Sequence, residues 1–278
     1  MLPKQNELEN LMKENKIKSN KTHKLITQLD KNDIVYKEAL IKSESLSRQR
    51  DSIFNARVRL TTDFIKSNPE SYYPILANDL MVYISQGYLS IDSARVIFNT
   101  LNERVRAYTR SIEMDKYLKI YENTRVGNKA PDFIVNDING KKIQLSDYRG
   151  KYVLLDFWAS WCSPCIQAIP HLKTLYSNYK SKDFEIIGIS CDDSKEDWIK
   201  GVEKYDLLDW CNVGYVQDFT KYKQGVINDD DIARKYPTDG IPKYILIDPE
   251  GMIIKKWEGY SIENEKNLDE AMNEIFGN

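Results

Sequence analysis

Seven residues in the middle of the chain, YVLLDFW at 152–158, form an almost uninterrupted apolar run. A strand with one face in solvent alternates apolar and polar residues, so a run without alternation is typical of a central strand covered on both faces. Such a strand needs packed layers on both sides, which predicts an α/β sandwich around a mixed sheet. One acid, Asp156, lies inside the run, and its apolar neighbours predict that it is buried.

Strand-like and helical segments alternate around this run. A hairpin is expected before it, with Asn139-Gly140 in a type I′ turn. After it we expect a helix from Cys162 to about Lys180, a strand over 184–190, a helix over 195–205, a hairpin that turns at Asp248–Gly251, and a helix over 264–276. This order predicts an α/β domain over residues 123–278.

Residues 1–122 differ in composition and predict a separate helical region. Residues 22–66 contain neither Gly nor Pro, which favours one long helix. Apolar residues recur along it every seven positions and predict one narrow buried face: Ala39, Leu46, Ile53 and Leu60. Shorter helices are expected over 75–86, 92–106 and 110–122. The region is either a partner-docking or dimerising module or a scaffold for the second domain, and it is also interpreted as the remainder of a larger domain.

The composition excludes some classes of function. The 278 residues are 41% hydrophobic and 29% charged, and no apolar run reaches membrane-spanning length. The net charge of −2, without a basic stripe, predicts no nucleic-acid partner. The first residues lack the apolar segment of a secretion signal, so we expect either a cytoplasmic protein or a processed form.

Two cysteines, Cys162 and Cys165, lie three positions apart where the central strand gives way to a helix. Unpaired N–H groups at a helix N-terminus favour a thiolate, which predicts a pKa of roughly 3.5 to 7.5 for Cys162. Cys165 is one turn further on, is expected to be more covered, and resolves a mixed disulfide on Cys162. Cys191 and Cys211 do not complete a zinc-site spacing, so we expect no metal and two inert buried thiols.

Asp156 is the candidate proton acceptor. Burial without a partner raises the pKa of a carboxyl group, and an acid near Cys165 with a pKa near neutrality takes the proton of that thiol when it attacks. The alternative is an acid satisfied by backbone groups or water.

The segment VLLDFWASWCSPC resembles the active-site strand and loop of thioredoxin. The wider stretch VGNKAPDF…NGKKIQLSDYRGKYVLLDFWASWCSPC is similar to the TlpA/ResA branch of thiol–disulfide oxidoreductases, which is related to the AhpC/TSA proteins. The resemblance covers about residues 125–278. It implies a thioredoxin-like fold with an extra N-terminal hairpin, and DGIPKYILIDPEG matches the segment that carries the family's cis-proline, here Pro242.

The resemblance also implies a function. We expect a protein-disulfide reductase facing the periplasm or cell envelope, with disulfide-containing proteins as substrates, a thiol as upstream reductant and no cofactor. Trp161, Ile241 and Pro242 are the predicted substrate-binding residues. Two departures from the family are Lys243, expected to place a positive charge near the substrate groove, and Gly188, where thioredoxin carries a lysine beside the buried acid.

Two rival functions remain open. One is a peroxidase of the peroxiredoxin type, because that family also has the sequence APDF at the start of its domain. Leu155 and Ala159, however, stand where that family has Pro and Thr. A non-enzymatic protein that binds partners through its helical region is the other alternative. Ser163-Pro164 supplies no cation to stabilise a thiolate, so we expect a reductant rather than a strong oxidant.

Overall fold

The structure is a computed structural model that describes residues 2–31, 33–70, 74–85, 87–226, 228 and 230–277. The chain divides into two compact units, Met1–Leu118 and Lys119–Asn278. The sequence places the division between residues 122 and 123, and both positions fall within one helix. None of the described helices is both long enough and apolar enough to cross a lipid bilayer.

The first unit is helical. Its helices are α1 (Leu2–Ile26), α2 (Ile34–Ser67), α3 (Pro74–Ser85), α4 (Ile91–Thr100), α5 (Glu103–Arg106) and most of α6 (Thr109–Asn123). A single helix over residues 22–66 was therefore a wrong prediction, since α1 ends and α2 begins within that range.

Capping side chains set these helix starts. The carboxylate of Asp33 accepts a hydrogen bond from the Val35 N–H at 2.9 Å and starts α2. Asn102 accepts one from the Val105 N–H at 2.9 Å and starts α5, which divides the helix predicted over 92–106. Short polar side chains that bond to backbone groups interrupt helices without Gly or Pro.

The buried face of α2 follows the predicted seven-residue spacing. Ala39, Leu46 and Ile53 are buried, and Leu60 is half-buried. Helix α1 lies against this face, where the side chain of Asn15 donates to the Leu46 carbonyl at 3.0 Å. The far end of α2 joins the core formed with α3, α4 and α6, whose members include Ile65, Leu80, Ala94, Phe98, Met114 and Leu118.

The second unit is built on a mixed sheet, as predicted, and this sheet has five strands. Its strands are β3 (Tyr152–Trp158), β4 (Phe184–Ser190), β5 (Cys211–Gly214), β6 (Lys243–Ile247) and β7 (Ile253–Glu258), after a separate hairpin of β1 (Ile134–Asn136) and β2 (Lys142–Gln144). The order is β5-β4-β3-β6-β7. Strand β3 lies at the centre, parallel to β4 and antiparallel to β6.

Apolar layers cover both faces of this sheet. Helices α7 (Ser163–Tyr179), α8 (Lys195–Lys204) and α11 (Ile262–Phe276) pack on the face of Leu154 and Trp158. The β1–β2 hairpin and short helix α10 (Ile232–Lys235) pack on the face of Leu155 and Phe157, and α9 (Phe219–Lys223) lies between β5 and α10 in the chain. The result is the thioredoxin-like sandwich that the sequence predicts.

The turn of the first hairpin differs from the prediction. A type I′ turn needs positive φ at both central residues. Gly140 has φ +81°, whereas Asn139 has a negative φ. The Asp137 carboxylate accepts from the N–H groups of Asn139 and Lys141 at 2.9 and 2.8 Å, and this local network holds a different turn.

Candidate active site

Cys162 and Cys165 form a disulfide at the start of α7, with their Cα atoms 5.2 Å apart. Cys162 is the N-cap residue, and its Sγ accepts from the Cys165 N–H at 3.2 Å. In the reduced protein the same N–H and the helix dipole favour a negative charge on that sulfur. The reactive position therefore lies beyond the carboxyl end of the central strand, where β3 leads into α7.

Exposure does not distinguish the two sulfurs in the disulfide form. Cys162 is 4% exposed and Cys165 is 3% exposed, so the expectation that Cys165 is clearly more covered does not hold. What separates them is the cap position of Cys162. Beside it, Trp161 is 64% exposed and presents a large apolar surface to solvent.

The Ile241–Pro242 peptide bond is cis and lies against the sulfur pair. Cys162 Sγ is 3.7 Å from the Ile241 carbonyl oxygen. The Ile241 N–H donates to no acceptor among the described residues, whereas the Pro242 carbonyl accepts from the Gly259 N–H at 2.8 Å. The backbone at Ile241, next to Cys162 Sγ, thus has a free N–H group that is able to pair with an extended peptide.

Asp156 lies on the same face of the sheet as the sulfur pair. Side chains alternate along β3, and its neighbours Leu154 and Trp158 belong to the apolar cluster that contains both cysteines. Asp156 is buried and makes no hydrogen bond to another described residue. Burial raises the pKa of its carboxyl group from 3.8 to about 7. An acid with this pKa accepts or releases a proton near neutral pH.

A second buried acid, Asp192, holds the loop between β3 and α7. Its carboxylate accepts from the Ser160 N–H at 3.1 Å, from the Ser160 hydroxyl at 2.7 Å and from the Ser190 hydroxyl at 2.7 Å. The loop that carries Trp161 and leads to Cys162 is therefore tied to the end of β4. Sequence patterns give no sign of this role, because only the tertiary fold brings Asp192 next to Ser160.

Lys243 is not in the substrate groove, which corrects the expectation from the sequence. Its side chain is 2% exposed and lies on the other face of the sheet, opposite Phe157 in register. The ammonium group donates to the Pro237 carbonyl at 2.7 Å and forms an ion pair with Glu258 at 3.3 Å. These contacts hold the loop that leads to Pro242.

Cys191 and Cys211 are free thiols at opposite ends of the β4–β5 pair, and both are half-buried rather than fully buried as the sequence predicts. Burial raises the pKa of both, that of Cys211 to about 11, so neither is a ready nucleophile at neutral pH. Among the residues that the structure describes, no three His, Cys, Asp or Glu side chains are grouped as metal ligands.

Known proteins are similar to part of this chain in sequence. Residues 126–256 match the AhpC/TSA family. The chain is 32% identical over 159 residues to the thiol-disulfide oxidoreductase ResA of Bacillus cereus, covering 57% of this chain and 83% of that protein. It is 32% identical over 143 residues to ResA of Bacillus subtilis, covering 51% of this chain and 73% of that protein. The thioredoxin domain of a thiol-disulfide oxidoreductase from Bacteroides vulgatus shares 33% identity, with a TM-score of 0.44 over 53% of this chain and 97% of that one.

Proposed function

The chain belongs to the AhpC/TSA family, among thiol-disulfide oxidoreductases related to ResA, and from this we propose that it reduces disulfides in other proteins through Cys162 and Cys165. The observation that carries the proposal is the position of Cys162 Sγ. It lies at the N-terminus of α7 and 3.7 Å from the Ile241 carbonyl, where a helix stabilises a thiolate beside a free backbone edge.

Substrate binding is proposed to use Trp161, Ile241 and Pro242. The unpaired Ile241 N–H lets an extended substrate segment add to the loop by backbone hydrogen bonds. The exposed ring of Trp161 covers apolar groups that flank the substrate disulfide. Backbone pairing is independent of side-chain identity, so this mode fits a range of protein substrates.

The chemistry is a pair of thiol–disulfide exchanges. The Cys162 thiolate attacks one sulfur of the substrate disulfide, and the other substrate sulfur leaves as a thiolate. The Cys165 thiol then transfers its proton to the Asp156 carboxylate and attacks Cys162 Sγ, which releases the second substrate thiolate. The substrate gains two electrons, and the Cys162–Cys165 disulfide forms. An upstream thiol reductant returns two electrons to the pair.

Reduction is the proposed direction of electron flow. Ser163 and Pro164 carry no positive charge, so the two residues between the sulfurs give the dithiol form no added stabilisation. Equilibration with glutathione tests the direction. We expect the Cys162–Cys165 disulfide to have a reduction potential well below that of the oxidase DsbA, which is about −120 mV. A reduction potential as high as that of DsbA contradicts the proposed direction.

Replacement of Cys165 by Ser tests the mechanism. The variant keeps the attacking sulfur but lacks the resolving one, so it is expected to accumulate mixed disulfides between Cys162 and its substrates. Mass spectrometry of the trapped species identifies the partners. A folded variant that traps no protein, beside a wild type that does not reduce insulin, contradicts the proposal.

The place of action and the assembly state are further proposals. The resemblance to the TlpA/ResA branch supports a site of action in the periplasm or cell envelope, which fractionation of cells tests. Dimerisation through the N-terminal helices stays a prediction, which sedimentation of the whole chain tests. Peroxide turnover by the purified protein tests the rival peroxidase activity, which Leu155 and Ala159 disfavour.

A further inference from the structure

The loop that carries Ile241 runs from Pro237 to Pro242, between α10 and β6. Its tip, Asp239 and Gly240, is exposed, so little apolar packing fixes the conformation of the tip. Pairing of a substrate with the Ile241 N–H needs this backbone in one conformation. A protein that adopts its binding conformation for only part of the time binds more weakly by that fraction. Contacts at the exposed tip therefore bear on substrate binding.

Tyr121 contacts this tip from the end of α6. From Lys119 onwards α6 belongs to the second unit. The hydroxyl of Tyr121 donates a hydrogen bond to the carboxylate of Asp239, which is two residues before Ile241. A charged acceptor makes such a bond stronger than one between neutral groups. Tyr121 and Asp239 are 118 positions apart in the chain, so the sequence gives no sign of the contact.

The ring of Tyr121 lies near the residue that holds the start of the loop. The Lys243 ammonium group is 5.9 Å from the centre of this ring, within the range of a cation–π interaction. The same ammonium group donates to the Pro237 carbonyl at 2.7 Å. One tyrosine side chain thus binds the tip of the loop through its hydroxyl and, through Lys243, supports the contact at Pro237.

The end of α6 is itself fixed to the sheet. The side chain of Asn128 donates to the Glu122 carbonyl at 2.7 Å, and the Asn128 carbonyl accepts from the Ile253 N–H of β7 at 2.8 Å. The Gly127 N–H donates to the Ile253 carbonyl, also at 2.8 Å. Strand β7 pairs with β6, which follows the loop. Tyr121 and the loop are therefore anchored to the same two strands.

We propose that Tyr121 is a positioning residue, which holds the loop in the conformation in which Ile241 pairs with a protein substrate. It acts through the Asp239 carboxylate rather than on the sulfur pair. The inference rests on the proposed function, since pairing at Ile241 belongs to that function. It requires that Tyr121 matter for disulfides in peptides, which pair with the backbone, and not for small disulfides that have no peptide group.

The rates of two exchange reactions test this requirement. Tyr121→Phe removes the hydroxyl and keeps the ring. The reduced protein is mixed with insulin or with hydroxyethyl disulfide, which has no backbone to pair with Ile241. We expect the second-order rate constant for insulin to fall by roughly three- to tenfold, the equivalent of one hydrogen bond. The rate constant for hydroxyethyl disulfide should stay that of the wild type.

Tyr176→Phe is the matched control. It removes another bond from a tyrosine hydroxyl to a carboxylate, that of Glu185 at 3.0 Å, near the far end of α7. We expect this variant to react with both disulfides as the wild type does. An unchanged rate with insulin in Tyr121→Phe overturns the proposal. An equal loss with both disulfides overturns it as well, because such a loss does not depend on pairing at Ile241.

A double-mutant cycle tests whether the hydroxyl acts through Asp239. If it does, the variant that combines Tyr121→Phe with Asp239→Ala loses no more insulin reactivity than Asp239→Ala alone. Losses that multiply contradict the proposal. Asp239 is exposed, so Asp239→Ala still allows the comparison of the two disulfides if Tyr121→Phe fails to fold.

A measurement without turnover separates this inference from the proposed function. The ¹H–¹⁵N heteronuclear NOE of the Gly240 and Ile241 amides reports fast motion of the loop. We expect lower values in Tyr121→Phe than in the wild type and in Tyr176→Phe, and equal values overturn the proposal. A wild type that reduces no insulin refutes the proposed function, and the NOE then decides whether Tyr121 holds the loop. A wild type and a Tyr121→Phe variant that reduce insulin equally fast refute the inference alone.

Discussion

Each face of the five-stranded sheet covers a buried charged strand residue, Asp156 on one face and Lys243 on the other, and the two are held in opposite ways. Lys243, on the face away from α7, has both a carbonyl and a carboxylate partner. Asp156, on the α7 face, has no hydrogen-bond partner among the described residues, and burial raises the pKa of its carboxyl group to about 7. A buried charge with partners fixes a loop in place, whereas a buried acid without protein partners remains able to titrate. The titrating group lies on the face that carries the sulfur pair.

The largest effect is expected when the attacking sulfur, on the α7 face, is removed. Cys162→Ser is expected to abolish insulin reduction, because the attacking sulfur is lost. Cys211→Ser is the matched control: it removes a free thiol whose pKa burial raises to about 11, and it should retain wild-type activity. Loss of activity in both variants would remove the distinction between the reactive pair and the inert thiols.

Next in size is the effect of Asp156→Asn on the second exchange step. Without a proton acceptor for Cys165, release of a mixed disulfide preformed on Cys162 should slow by roughly 10²- to 10⁴-fold. Stopped-flow measurement of substrate release from the purified mixed disulfide checks this. An unchanged release rate in a folded variant would show that the acid has no part in the step.

Asp156→Asn should also change the dependence of stability on pH. The unfolded acid ionises near 3.8 and the folded one near 7, so the free energy of unfolding falls as the pH rises from 4 to 7, and the loss is complete above 7. Three pKa units correspond to about 4 kcal/mol. Urea titrations at pH 4 and pH 8 should show a smaller decrease in the variant than in the wild type.

On the opposite face, Lys243→Met should lower the stability of the fold and leave the titration of Asp156 unchanged. It leaves the Pro237 carbonyl without its charged donor, so the free energy of unfolding is expected to fall by about 1–3 kcal/mol. The pH midpoint of substrate release should remain that of the wild type. A displaced midpoint would mean that the two faces are not functionally separate.

The smallest effect is expected from Ser160→Ala. It removes the hydroxyl bond to Asp192 but keeps the backbone N–H bond, so we expect a loss of about 1–2 kcal/mol and a modest decrease in activity. Thermal unfolding and insulin reduction check these two results. Activity lost to the level of Cys162→Ser would assign Asp192 and Ser160 a larger role than holding the loop.

The sequence predicts the features that local patterns determine. The unbroken apolar run gives the central strand, and the helix after it puts Cys162 at a cap. The cis bond before Pro242 follows from the resemblance. These features depend on neighbouring residues or on a motif.

Features that depend on distant partners were missed or predicted wrongly. Lys243 is buried because Pro237 and Glu258 receive its ammonium group, which no local pattern shows. Asp192 bonds to Ser160 only because the pairing of β3 with β4 brings the ends of these two strands together. The division between α1 and α2 was missed for a different, local reason: the Asp33 side chain bonds to the Val35 N–H, and such a cap competes with a continuous helix even where the sequence has neither Gly nor Pro.

The central claim is that Asp156 takes the proton of Cys165 during exchange. The most direct measurement is the pH dependence of substrate release from a mixed disulfide on Cys162, in the wild type and in Asp156→Asn. We predict that the wild-type rate rises with pH through a midpoint near 7 and that this midpoint is absent in the variant. The same midpoint in both proteins would contradict the claim.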